Sequence, residues 1–199
     1  MVDPCSTSYR LVECPPADRP RLNPLRAGAG TSYGRVMEIA PATRADVDQL
    51  IESLTGASAA QHHVRGRWQT QESGDGVYLL ARRAGALVGQ TMLLRQSKYA
   101  ELRAAEDPAE INGLDAFVRN EGVGTALVRA AEALAGDWGR AWIGLGVGLE
   151  NDGARRLYER LGYQLWSGAR VVDRWTEQAA DGSVVRSHAD ECDYLLKSL

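Results

Sequence analysis

From Met37 onward the apolar positions follow two periods, and the switches between them outline the elements. Met37-Glu38-Ile39-Ala40 alternates and predicts a short strand at about 36–40. Thr43-Arg44-Ala45-Asp46 then has the form of a capping box, with Val47, Leu50, Ile51 and Leu54 following at helical spacing. Residues 57–72 are more polar, with His62, His63, Arg65, Arg67 and Trp68, and read as a second helix or an irregular surface segment. Two apolar runs, Val77–Arg82 and Leu87–Leu94, flank Ala84-Gly85-Ala86 and predict an antiparallel hairpin. The stretch 96–108 is charged and loop-like, and 111–118 reads as a strand. Val123, Leu127, Ala131 and Leu134 share one face of a helix ending near Gly136; 141–149 is a glycine-rich strand. Asn151 is placed to cap a helix bearing Ala154, Leu157, Tyr158 and Leu161, and 163–197 reads as two strands joined through Asp181-Gly182.

This order predicts a mixed α/β (α+β) domain over residues 36–199. Its central sheet is mainly antiparallel, of about seven strands, flanked by about four helices. Residues 1–35 hold Pro4, Pro15, Pro16, Pro20 and Pro24 with no sustained period, and are expected to be a disordered or loosely packed extension, with Met37 a conceivable alternative start. The formal charge of −3, with acids and bases interspersed, argues against a nucleic-acid or polybasic membrane surface. No apolar h-region and no run of eighteen apolar residues occurs, so no membrane span is expected. Cys5, Cys14 and Cys192 are odd in number and lack metal-ligand spacing, so neither disulfides nor a metal site is expected, and a reducing cytoplasm fits best.

The most informative stretch is Arg119-Asn120-Glu121-Gly122-Val123-Gly124-Thr125-Ala126-Leu127, where a strand passes through two glycines into a helix. Glycine permits close approach, and the first helical turn offers unpaired N–H groups and the positive end of the dipole, so an anion such as a diphosphate can sit there. The glycines sit at the fourth strand, and Leu127 stands where a dinucleotide fingerprint needs Gly or Ala, which disfavours a nicotinamide cofactor.

Arg119, Gly122 and Gly124, with the Asn151-led helix, Tyr158 and Leu161-Gly162-Tyr163, resemble the two signatures of the GNAT superfamily of acetyl-coenzyme A dependent N-acetyltransferases. The similarity covers roughly 37–197. It departs in a shortened approach to the first motif glycine and in Glu121, which stands where a basic residue is common. The resemblance implies the GNAT fold and acetyl-CoA lying between the fourth and fifth strands. Its pantetheine arm would pair with the backbone of Phe117 and Val118, and Arg119 and the N–H groups of Glu121, Gly122, Val123, Gly124 and Thr125 would take the diphosphate. Asn151 and Ala154 would line the same site. On this reading the glycine-rich run 144–148 is a strand packed beside the cofactor.

An amine acceptor with a pKa near ~10.4 must lose a proton before attack, at a cost near ~4.6 kcal/mol at pH 7. Glu110 resembles the glutamate that serves several family members as general base; its alternative is a solvated charge at a strand end. The thiolate leaving group needs less help, with a thiol pKa near ~8.5. Tyr158 is the candidate acid, two helical turns from Asn151 and on the same face; its alternative is a buried, hydrogen-bonded packing residue. His62-His63 reads as a polar surface pair ahead of an acceptor-pocket lining or a base, and the tryptophans as packing residues. The leading expectation is direct acetyl transfer to a primary amine in a ternary complex. The acceptor is a small molecule ahead of a protein lysine or N-terminus, and the only further partner is at most a second copy of the chain. A non-catalytic acyl-CoA-binding module is the competing class.

Overall fold

The computed structural model describes residues 36–54, 56–179 and 181–199, so the expected extension at 1–35 lies outside the described residues. Chain order is β1 (Met37–Pro41), α1 (Arg44–Ser53), α2 (Ser58–Glu72), β2 (Gly76–Arg83), β3 (Ala86–Leu94), α3 (Ala100–Ala105), β4 (Ala109–Ala116), α4 (Val123–Asp137), β5 (Trp142–Gly148), α5 (Asp152–Arg160), β6 (Gln164–Leu165), β7 (Val171–Gln178) and β8 (Val184–Ser198). The eight strands form one sheet in the order β1-β2-β3-β4-β5-β8-β6, with β7 also pairing with β8. Every pair is antiparallel except β4 with β5.

Two elements exceed the sequence expectation, and the open alternative at 57–72 resolves to a helix. The supposed loop at 96–108 contains α3, a single short helix anchored by the buried Leu102. Residues 57–72 form a full helix that buries Val64 and packs Trp68 against β2 and β3. The segment after Tyr163 contributes the two-residue β6 before the β7–β8 hairpin. No helix among the described residues is long and apolar enough to cross a membrane.

The sheet separates two cores, because alternate residues of each strand face opposite sides. Leu79 and Ala81 of β2 join Ile111, Ile143, Leu145 and Val147 beneath α4 and α5, where Val123, Leu127, Val128 and Ala131 are buried. Tyr78 and Leu80 face the other way, against Val47 of α1 and Val64 of α2. At the start of α1 the capping box forms in full: Thr43 Oγ1 accepts from the Asp46 N–H at 3.2 Å while Asp46 accepts from the Thr43 N–H at 2.8 Å.

The functional opening comes from a break in β4. Gln90 pairs with Asp115 and Met92 with Asn112, so β4 carries one extra residue, and Gly113 sits there at φ +63°. On its other edge β4 pairs with β5 only at Ala109–Ile143 and Glu110–Gly144. Beyond Glu110 the two parallel strands part, leaving backbone on both sides free to take an extended guest.

Candidate active site

The parted strands open a cavity of about 150 Å³. Glu110 through Asp115 line it from β4, Leu145 through Gly148 from β5, and Asn151, Ala154 and Tyr158 from α5. Its remaining wall is supplied by Arg67, Lys98, Tyr99, Asp173 and Cys192. Four of the expected site residues, Glu110, Asn151, Ala154 and Tyr158, are therefore brought together around one space. The glycine turn lies outside that wall, at the start of α4.

Glu110 is 1% exposed, which removes the alternative of a solvated charge at a strand end. Its Oε2 accepts from Ser97 Oγ at 2.6 Å, from the Lys98 N–H at 3.3 Å and from the Tyr194 hydroxyl at 3.3 Å, while Oε1 accepts from Asn112 Nδ2 at 3.3 Å. Burial raises its pKa above the ordinary carboxylate value, and the nearby Lys98 charge and the hydrogen bonds from Ser97 and Asn112 oppose that rise. A carboxylate made more basic while still held in register is suited to accept a proton.

Tyr158 is also buried, and burial first, then the Asp115 carboxylate, push its phenol up to about 12. It stays protonated across the neutral range and has a hydroxyl hydrogen to donate. Its ring meets Tyr163 edge-on at 5.9 Å between centroids. Asn151 caps α5 as its sequence position implied, with Oδ1 accepting from the Ala154 N–H at 3.1 Å. Arg155 in turn ties the helix to Asp193 of β8.

The glycine turn joins a left-handed cap to the start of α4. Gly122 is the N-cap of α4 with φ +80°, where a Cβ would meet no atom within 4 Å, so conformation and not space calls for glycine. At Gly124 the reason is space: a Cβ would lie 3.1 Å from Leu157 Cδ2 of α5. The first-turn N–H groups have no intrahelical acceptor, and Val123 is buried as an anchor while Arg119 is exposed. Glu121 is engaged by Arg83 at the end of β2, whose Nη1 binds the carboxylate and whose Nη2 donates to the Glu121 carbonyl at 3.1 Å. Its acidic charge is thereby partnered by a cation beside the turn. Phe117 and Val118 follow the end of β4, and the Phe117 N–H donates to the Val88 carbonyl of β3 at 2.9 Å. That N–H is consequently taken by the sheet.

Several wall residues had no place in the sequence reading. Lys98 forms a largely buried pair with Asp173 at 2.7 Å. Arg67, 5% exposed, donates from Nη2 to the Gly113 carbonyl at 2.6 Å, and a side chain at position 113 would collide with it. The signal for Asp173 was an acid at an inward position of the alternating run Val171-Asp173-Trp175. For Arg67 it was a charge on the same helical stripe as His63 and Val64. His63 is buried, not part of a surface pair, and burial, then the Arg67 charge, bring its pKa to about 2. Trp175 stacks on His188 at 3.8 Å and donates from Nε1 to Asp190 at 2.8 Å, so its role is packing, as expected. Within the glycine-rich β5, Gly144 makes room for the Tyr194 ring, and Gly146 lines the cavity.

Residues 47–163 match the acetyltransferase (GNAT) family. Among curated proteins, none matches the sequence. Solved structures share the fold at low identity. The ribosomal-protein-alanine N-acetyltransferase of Brucella melitensis is 17% identical with a TM-score of 0.57, over 81% of this chain and 99% of its own. The PaiA N-acetyltransferase of Thermoplasma acidophilum, in complex with coenzyme A, is 16% identical with a TM-score of 0.56, over 82% and 99%. YncA of Salmonella typhimurium, with its cofactor acetyl-CoA, is 16% identical with a TM-score of 0.56, over 81% and 93%.

Proposed function

The chain belongs to the acetyltransferase (GNAT) family, and from that premise we propose that it moves an acetyl group from acetyl-CoA directly to a small-molecule primary amine within a ternary complex. The observation that carries this reading is the meeting of Glu110, a buried carboxylate of raised pKa, and Tyr158, a phenol of raised pKa, on one cavity between parted parallel strands. A base for the amine and a donor for the sulfur are the two proton functions that such a transfer needs.

The residues present fit acetyl-CoA. The N–H groups of Glu121 to Thr125, with Gly122 and Gly124 permitting close approach and Arg119 beside them, would hold the diphosphate. The pantetheine arm would run along β4, where Asn112 to Asp115 border the cavity, and on to Val118. Phe117 offers that arm no N–H. Asn151 and Ala154 would border the arm from α5. When bound, acetyl-CoA supplies the acetyl group as a thioester.

Glu110 would take a proton from the incoming ammonium, directly or through water, while Ser97, Asn112 and Tyr194 keep its carboxylate in place. Backbone N–H groups of the bulged β4 would draw negative charge onto the thioester oxygen. Tyr158 would donate its hydroxyl hydrogen to the departing sulfur. With a phenol near 12 against a thiol near ~8.5, complete transfer is uphill by roughly 5 kcal/mol, so the phenol acts chiefly as a hydrogen-bond donor until solvent protonates the sulfur. A charge-lined cavity of about 150 Å³ favours a small acceptor over a polypeptide.

Initial-velocity kinetics test direct transfer. Varying acetyl-CoA at several fixed amine concentrations should give intersecting reciprocal plots and no acetylated enzyme by mass spectrometry; parallel plots with an acetyl-enzyme would refute it.

A further inference from the structure

We propose that Arg67 recognises a carboxylate carried by the acceptor, making the substrate an amino-acid-like primary amine; this rests on the acetyl-transfer reading above. Arginine keeps its charge at any physiological pH, and its planar fork suits a carboxylate. In the cavity wall, Arg67 uses Nη2 on the Gly113 carbonyl, but its buried Nε and Nη1 have no hydrogen-bond acceptor among the described residues. Asp115 does not answer that need: its Oδ2 is 3.8 Å from Nη2 and already accepts from Gln90 Nε2 at 3.0 Å. The Tyr78 ring lies 5.4 Å from the guanidinium carbon, and the Tyr78 hydroxyl also interacts with the guanidinium. Burying a guanidinium with open donors is costly unless a ligand completes it.

The other cavity cation differs. Lys98 has its carboxylate, Asp173, at 2.7 Å. With that pair satisfied, Glu110 remains for an ammonium and Arg67 for an anion. Gly113, where Arg67 docks, lies three residues beyond Glu110 on the bulged β4, at most about 10 Å along the strand. A molecule with an amine at one end and a carboxylate at the other matches both groups.

The test uses a matched pair of acceptors, 4-aminobutyrate and butylamine, which share chain length and amine but not the carboxylate. Wild-type protein should favour 4-aminobutyrate in kcat/KM by about tenfold or more, as expected for one charge-assisted contact. Arg67→Met should bring the ratio to about one, and Arg67→Lys should restore part of it. A wild-type preference for butylamine, or equal use of both, would overturn the proposal. So would an Arg67→Met variant that loses both activities in step, because that is the signature of a residue serving only to brace the Gly113 bulge. Calorimetry of butyrate with the CoA-loaded protein gives a readout without turnover. Heat in the wild type that is lost in Arg67→Met supports the site, and no heat in the wild type overturns it. Arg67-dependent butyrate binding with neither amine acetylated would instead contradict the acetyl-transfer reading while upholding the carboxylate site.

Discussion

Replacing Glu110 by glutamine removes the proposed base and leaves side-chain shape unchanged, so its effect can be worked out in both rate and stability. At pH 7 an acceptor amine of pKa ~10.4 is neutral in roughly 1 molecule in 2,500, equivalent to ~4.6 kcal/mol. A positioned base recovers part of that deficit, typically ~10²–10⁴ in rate. The Glu110→Gln variant should therefore lose about two to three orders of magnitude in kcat/KM at pH 7. Its log kcat/KM should climb with unit slope toward the amine pKa, so that the gap to wild type narrows as pH rises. Stopped assays of thiol release between pH 6 and pH 10 measure this. A gap that stays constant with pH, or a profile unchanged by the substitution, would refute the assignment. Folding supplies an independent check. Burial raises the folded pKa of Glu110, so the wild-type group favours folding below its unfolded pKa of about 4.5, and that contribution is lost as pH rises through the folded pKa. The melting temperature of Glu110→Gln relative to wild type should accordingly improve from pH 4 to pH 8. Gln must turn its amide toward Asn112 Nδ2, a donor now facing a donor unless Asn112 reverses, for an offset of about 1–3 kcal/mol at most.

Tyr158→Phe should lower kcat about ten- to hundredfold with acetyl-CoA affinity unchanged by calorimetry; full turnover would reject its role as donor. Gly122→Ala forces a side chain into φ +80° and should cost about 1–2 kcal/mol, seen as a lower melting temperature together with weaker acetyl-CoA binding. A variant as stable as wild type would contradict the left-handed cap. Glu121→Gln removes the carboxylate charge that partners Arg83 beside the proposed diphosphate site and should tighten acetyl-CoA binding about two- to fivefold at low salt, less at high salt, while stability moves by less than about 1 kcal/mol. Unchanged or weaker binding at low salt would show that Arg83 does not reach the phosphates.

Local chemistry was the most readable part of the chain. The Thr43 box and the Asn151 cap each depend on residues within a few positions, so their sequences carry the answer, whereas the left-handed φ at Gly122 gives that glycine a different reason from the close approach expected of it. The hairpin at 84–86 was legible for the same reason as the two caps, whereas the continuous apolar run of β2 did not reveal that Leu79 and Tyr78 face opposite cores. Short elements whose stability is tertiary were not. The helix at Ala100–Ala105 exists because Leu102 is buried, and the two-residue β6 because it lies against Leu195 and Leu196. Resemblance brought Glu110 and Tyr158 forward, but the groups around them come from distant segments. Lys98 meets Asp173 across 75 positions, and Arg67 meets Gly113 across 46. Buried His63 was misread because polar composition hid a helix whose inner face carries imidazole and guanidinium beside Val64. That the Phe117 N–H is spent on Val88 of β3 is set by strand pairing and not by residue type.

The central claim is that one cavity binds acetyl-CoA and passes its acetyl group to an amine. The most direct measurement is to titrate the protein with acetyl-CoA by calorimetry and then add primary amines while following free thiol and acetylated product by mass spectrometry. The account predicts saturable binding followed by thiol release that requires the amine and matches acetylated product one to one. Saturable binding with no amine-dependent thiol release would contradict it and leave an acyl-CoA-binding module in place of an enzyme.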